Sequence, residues 1–165
     1  WSAPNRELYL DDFQKNRIFY NVSRRLELNE SHIDIPEPEL RRLSLAGGLM
    51  ARVAYVDGDI QAGEFDRMVE AIQDQWGLSD IHSALVVEVA VSEIGKGMDY
   101  YQLTRRFFLL TNEDERLRFL NVLFAVADGD GLISYEETEE IRAIANVLKL
   151  THKQFIEAKM LASEQ

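Results

Sequence analysis

Asp57-Gly58-Asp59-Ile60, with Glu64 four residues on, returns later in the chain as Asp130-Gly131-Leu132-Ile133 with Glu137 four residues on. Both copies read DGxIxxxE. A shift of 73 residues, from Asp57 to Asp130, superimposes them without a gap and carries Ala54 onto Ala127 and Met68 onto Ile141. The chain therefore reads as an internal duplication. Carboxylates gathered around a tight glycine turn between two helices are also how a helix-loop-helix holds a hard cation, so the repeated turns are the first candidate for function.

Working outward, apolar residues recur at helical spacing on both sides of each turn. Leu43, Ala46, Leu49, Met50, Val53 and Ala54 form a stripe that Asp57-Gly58 interrupts, and Phe65, Met68, Val69, Ile72 and Trp76 form the next, with Gly77 just past it as a helix stop. Ser79-Asp80 predicts the cap of a helix through Ile94, despite the strand-like run of valines at 86, 87, 89 and 91. Residues 98 to 110, with Tyr100, Tyr101, Phe107 and Phe108, predict a connecting helix. In the second copy Arg116 to Ala127 is apolar almost all round, which predicts the most buried element of the fold. Ile141, Ile144, Ala145 and Leu148 mark the helix that leaves the second turn, and Thr151 caps a last one to about Ala162. Ahead of the repeats, Leu8 to Leu28 reads as one amphipathic helix. Residues 29 to 38, with Pro36 and Pro38, read as a linker whose second proline opens the next helix. The expectation is an all-α fold of about seven or eight helices in a single domain. It divides into an extension and linker (1–38), a first repeat (39–97), a connecting helix (98–112) and a second repeat (113–165).

The 165 residues are 46% hydrophobic, enough for one globular core. Net charge is −11, yet the first 56 residues hold eight Lys/Arg and eight Asp/Glu, so the whole excess lies in the duplicated part. Such a surface repels nucleic acid and anionic membrane and attracts cations or a basic protein partner. With no cysteine, thiolate metal sites, disulfides and thiol nucleophiles are excluded. No apolar run reaches membrane-spanning length and no signal-peptide pattern opens the chain, so the default expectation is cytoplasmic. Because the chain opens on Trp1 rather than Met, it reads as a processed form or a piece of a longer protein, and a preceding membrane anchor stays open.

Set against a calcium-binding EF-hand loop, Val126 to Glu137 places Asp128 and Asp130 on the third and fifth ligand positions, Gly131 on the turn glycine and Glu137 on the closing twelfth. Val126 stands where the opening Asp belongs. The first copy keeps less, with Val53 and Tyr55 at the first and third positions. The two loops therefore depart from a standard EF-hand pair. A site with few carboxylates would bind calcium weakly, with Kd roughly micromolar to millimolar. The same residues also have an ion-free reading, since Ser134-Tyr135-Glu136-Glu137 is a capping box and Asp-Gly a common turn. At this point both readings are open.

The motif Ala54-Tyr55-Val56-Asp57-Gly58-Asp59-Ile60 with Glu64, paired with Ala127-Asp128-Gly129-Asp130-Gly131-Leu132-Ile133-Ser134 and Glu136-Glu137, resembles the tellurite-resistance TerB family. Its relatives include the N-terminal part of a membrane-anchored DnaJ-type co-chaperone. The resemblance spans about residues 39 to 162. It implies an all-helical fold of two related halves and a divalent metal, calcium by donor type, on Asp57, Asp59, Glu64, Asp128, Asp130 and Glu137. It also implies roles in tellurite or stress resistance, in membrane-associated complexes or in chaperone regulation, and leaves residues 1–38 unexplained. His32, His82 and His152 read as surface histidines, the latter two in first helical turns. No phosphate-binding loop, nucleophile elbow or HExxH helix is present, so the chain reads as a non-enzyme. The alternative to a cation-binding module is a metal-free acidic scaffold that contacts a basic partner.

Overall fold

The computed structural model describes residue 10 and residues 12–128 and 132–163. Among these, eight helices follow one another with no strand: α1 (Arg17–Leu28), α2 (Glu37–Ala54), α3 (Ala62–Trp76), α4 (Asp80–Glu93), α5 (Tyr100–Leu109), α6 (Glu113–Ala127), α7 (Tyr135–Val147) and α8 (His152–Ser163). The all-α expectation holds.

The single helix expected over Leu8 to Leu28 is corrected in part. Residues 12–15 are helical, but the chain breaks at Asn16, whose side-chain amide donates to the backbone oxygen and Oδ1 of Asp12, both at 3.1 Å. An amide that competes with the backbone for acceptors interrupts a helix in this way. The rest of the expected helix, residues 8, 9 and 11, lies outside the described residues. Past the break, α1 buries Ile18, Phe19, Val22 and Leu26 along one face. The linker then tucks in Ile33, and α2 starts after Pro36 with Pro38 in its first turn.

The centre of the molecule is α2. Every residue from Leu43 to Ala51 is buried, whereas α6 leaves Asn121 and Ala125 exposed and Val122 half-exposed. The expectation that 116–127 would be the most buried element is therefore corrected. The reason is side-chain size: Ser44, Ala46, Gly47, Gly48 and Ala51 let neighbours close on α2 from several sides, which a bulkier helix cannot allow. Gly48 shows the tightest approach, since a Cβ there would stand 2.6 Å from Ile18 Cδ1 of α1 and 2.8 Å from Leu103 Cδ2 of α5. Gly47 meets Val86 of α4, where a Cβ would find Cγ1 at 3.4 Å.

The helices that enter and leave the two turns pack reciprocally. Incoming α2 touches outgoing α7 of the other copy, incoming α6 touches outgoing α3, and α2 and α6 also touch each other. Some residues equivalent under the 73-residue shift share the same burial, since Met68 and Ile141 are both fully buried, as are Ala54 and Ala127, whereas buried Leu45 and Gly48 correspond to exposed Arg118 and Asn121. Arg42 pairs with Glu39 and with Glu115, its own equivalent in the second copy. Arg52 reaches across to Glu140 at 3.0 Å and lies over the Tyr100 ring at 4.8 Å. Burial pushes the Tyr100 hydroxyl up to about 12 against the opposing pull of Arg52, so it stays neutral around pH 7.

A second charge cluster fastens α1 to α4. Glu93, only 3% exposed, accepts from Asn21 Nδ2 at 2.7 Å, stands 3.0 Å from an Arg17 guanidinium nitrogen and meets Lys96 Nζ at 3.3 Å. A carboxylate this deep is tolerated only with partners of this kind.

Candidate functional site

Each acidic turn is built by the helices on either side of it. Ala54 ends α2, and the Gly58 amide donates to Tyr55 O at 2.8 Å to close the first turn. Gly58 sits at φ +89°, in the left-handed region that a side chain resists, which is the physical need for glycine in the motif. Gln61 then caps α3, and Glu64 folds back so that its Oε1 accepts from the Gln61 amide at 3.1 Å. The second copy repeats the device: Glu137 Oε1 accepts from the Ser134 amide at 3.0 Å while Ser134 Oγ accepts from the Glu137 amide at 3.1 Å. Both glutamates are 4% exposed. They turn inward over their turns rather than out into solvent.

The two turns lie against each other. Ser134 Oγ of the second donates to Asp57 Oδ2 of the first at 3.5 Å, across 77 residues of sequence. Asp57 and Asp59 are exposed, and Asp59 Oδ2 accepts from Gln61 Nε2 at 3.3 Å. Asp128 is half-buried at the end of α6. Asp130 lies outside the described residues. Among the described residues no three His, Asp or Glu side chains converge closely enough to hold an ion by themselves.

The structure thus brings Asp57 to the edge of the second turn. It commits one oxygen each of Glu64 and Glu137 to helix capping. Ser134 is the residue that sequence reading placed only as a cap and that also bridges the turns. A fixed-shift comparison pairs it with Gln61, so nothing in the spacing signals its contact with Asp57. Replacing Ser134 by Ala is expected to lower unfolding free energy by about 1 kcal/mol in urea titration, the usual cost of a lost N-cap. A loss indistinguishable from zero would remove the cap from the account.

The histidines lie elsewhere. His82 Nε2 is 2.8 Å from Ser31 Oγ, and His152 stacks on Phe155 with Nδ1 3.4 Å from an Arg142 nitrogen. Both occupy first helical turns, as their spacing suggested. No helix among the described residues is long and apolar enough to cross a membrane.

No curated protein and no solved structure matches this chain. The family model described as tellurite resistance protein TerB matches residues 43–160, from the buried middle of α2 to the last turn of α8. With two acidic turns set side by side in an all-helical fold, and that match over most of its length, the chain belongs to the TerB family.

Proposed function

We propose that the paired turns take up a divalent cation, and that this TerB-family chain is a binding module rather than an enzyme, with a part in tellurite or related stress resistance. The carrying observation is the juxtaposition of the turns, Ser134 Oγ to Asp57 Oδ2 at 3.5 Å, beside two inward-folded glutamates at equivalent positions. Capping uses Oε1 in Glu137 and a carboxylate has two oxygens, so helix capping and ion binding are compatible in that residue. The residues that would hold the ion are Asp57, Asp59 and Glu64 from one turn and Asp128, Asp130 and Glu137 from the other. All donors are oxygens, which favours calcium over softer ions. The ion would screen mutual repulsion among these carboxylates and hold the two halves together.

The test is calorimetric and thermal titration with calcium, magnesium and zinc of the parent and of Asp57→Asn with Asp130→Asn. For the parent at about ten times Kd, calcium is expected to add ~1.4 kcal/mol, or roughly 3–4 °C in melting temperature. The variant should lose most of the heat. No shift in the parent, or equal heats in the variant, overturns the reading.

One observation favours the second reading, an acidic scaffold for a basic partner. Both glutamates already accept from backbone amides at their own helix ends. Silent cation titrations, together with basic-peptide binding that ignores chelator, would move the assignment there.

A further inference from the structure

Although the chain is acidic, most of its arginines are matched at close range. Arg17, Arg25, Arg41, Arg42, Arg52, Arg106 and Arg142 all meet carboxylates. Arg116 donates to the backbone oxygen of Phe108 and lies over its ring, and Arg105 also lies over that ring. Five basic side chains have no such partner among the described residues, Arg24, Arg67, Arg118, Lys153 and Lys159, and three of the five share one place. Arg67, Arg118 and Lys159 all line one continuous groove.

That groove follows the outer face of α6, which is flanked by α3 on one side and α8 on the other. Three hollows merge along it. The first two share Gln75, Arg118 and Val122, and the second and third share Asp128 and Ala162. Its lining is apolar at Trp76, Val122, Ala125, Ala158 and Leu161. At the far end Leu132 is 80% exposed and Tyr135 74%, while Leu161 is half-exposed. Large apolar side chains left in water around one groove mark a binding surface. The acidic groups in the lining are mostly spent: Glu39 and Glu115 both sit on Arg42, and Glu139 sits on Arg142. The lining holds Arg42, Arg67, Arg118, Arg142 and Lys159 against Glu39, Glu115, Asp128 and Glu139, so it carries a small net positive charge with Arg67, Arg118 and Lys159 left to meet a ligand. That charge is opposite in sign to the protein as a whole.

We propose that this groove docks an acidic amphipathic helix from a protein partner. An apolar stripe at i, i+3, i+4 and i+7 would lie over Val122, Ala125 and Leu161, and flanking Glu or Asp side chains would meet Arg67, Arg118 and Lys159. Ala125, small and exposed, allows the close approach that seats one helix on another. The fifteen residues of α6 give a trough about 22 Å long, close to four helical turns. Charge complementarity decides the occupant. A basic segment would be drawn to the rest of this surface but repelled here, and a neutral one would leave three cations without partners.

The probe is a fluorescein-labelled peptide of about 18 residues, ~27 Å as a helix, with Leu at i, i+3, i+4 and i+7 and Glu on its flanks. Its comparators are a scrambled peptide of the same composition and a version with Lys in place of Glu. Binding is followed by anisotropy in excess EDTA, so that the outcome is independent of the cation reading, and amide shifts locate the site. The acidic helix should bind saturably, with shifts at Arg118, Val122 and Leu161. The triple variant Arg67→Glu, Arg118→Glu and Lys159→Glu should weaken it about tenfold or more, with binding of the Lys version no weaker. Ala125→Arg, at an exposed position, should block it by filling the trough. The proposal is overturned if the acidic peptide does not bind or if its scramble binds equally well. It also fails if the triple variant binds within about twofold of the parent or if the shifts fall on another face. A parent dimer in sedimentation that Ala125→Arg dissociates would give the groove to a second copy of the chain and overturn it as well.

Discussion

Phe124→Ala should lower unfolding free energy by about 4 kcal/mol, and with it the melting temperature by roughly 10 °C. Phe124 is fully buried in α6, and its ring centroid lies 5.5 Å from that of Phe155 in α8. Truncation removes the transfer energy of the ring and leaves a void among side chains that helices on several sides hold in place. Phe124→Leu keeps most of the volume and should cost about 1–2 kcal/mol. Equal losses in the two variants would show that the site collapses around any change, contrary to the packing described. Urea titration with matched slopes separates the two outcomes.

The second large effect is electrostatic. Glu93→Ala is expected to cost about 3 kcal/mol, because it leaves the Arg17 guanidinium and the Asn21 amide facing a pocket with no acceptor. The figure is at the low end for a broken buried pair, since Arg17 and Lys96 remain partly in water at 29% and 55% exposure. The exposed pair Arg25 and Glu88 supplies the control: Glu88→Ala should change stability by less than about 1 kcal/mol. Similar losses at both sites would mean that the depth of Glu93 contributes nothing, and the clamp between α1 and α4 would have to be abandoned.

Much of this fold could be read before its structure. Ser79, Ser134 and Thr151 each precede a helix, and each side chain accepts from a backbone amide three residues on. Gly77 ends α3 in the left-handed conformation. Helix ends are legible because capping is local chemistry between residues close in sequence. The ranking of helices by depth was not legible. Counting apolar residues favours α6, but depth in α2 comes from small side chains, whose value appears only when neighbours are present. The site was legible by halves. Each turn carries its own glycine and its own closing glutamate, but the contact of Ser134 with Asp57 and the burial of Glu93 depend on chain segments more than 70 residues apart.

The crosswise packing of α2 on α7 and of α3 on α6 also bears on how the molecule comes apart. Each half also packs on itself, α2 and α3 on α4 and α6 on α7 and α8, but α2 and α3 share apolar surface with α6 and α7, so a chain opened between the two would bare a sticky face on each. Melting should accordingly be all or none, with no half-folded species accumulating. During synthesis the first hairpin has to wait, incompletely shielded, until its sister emerges.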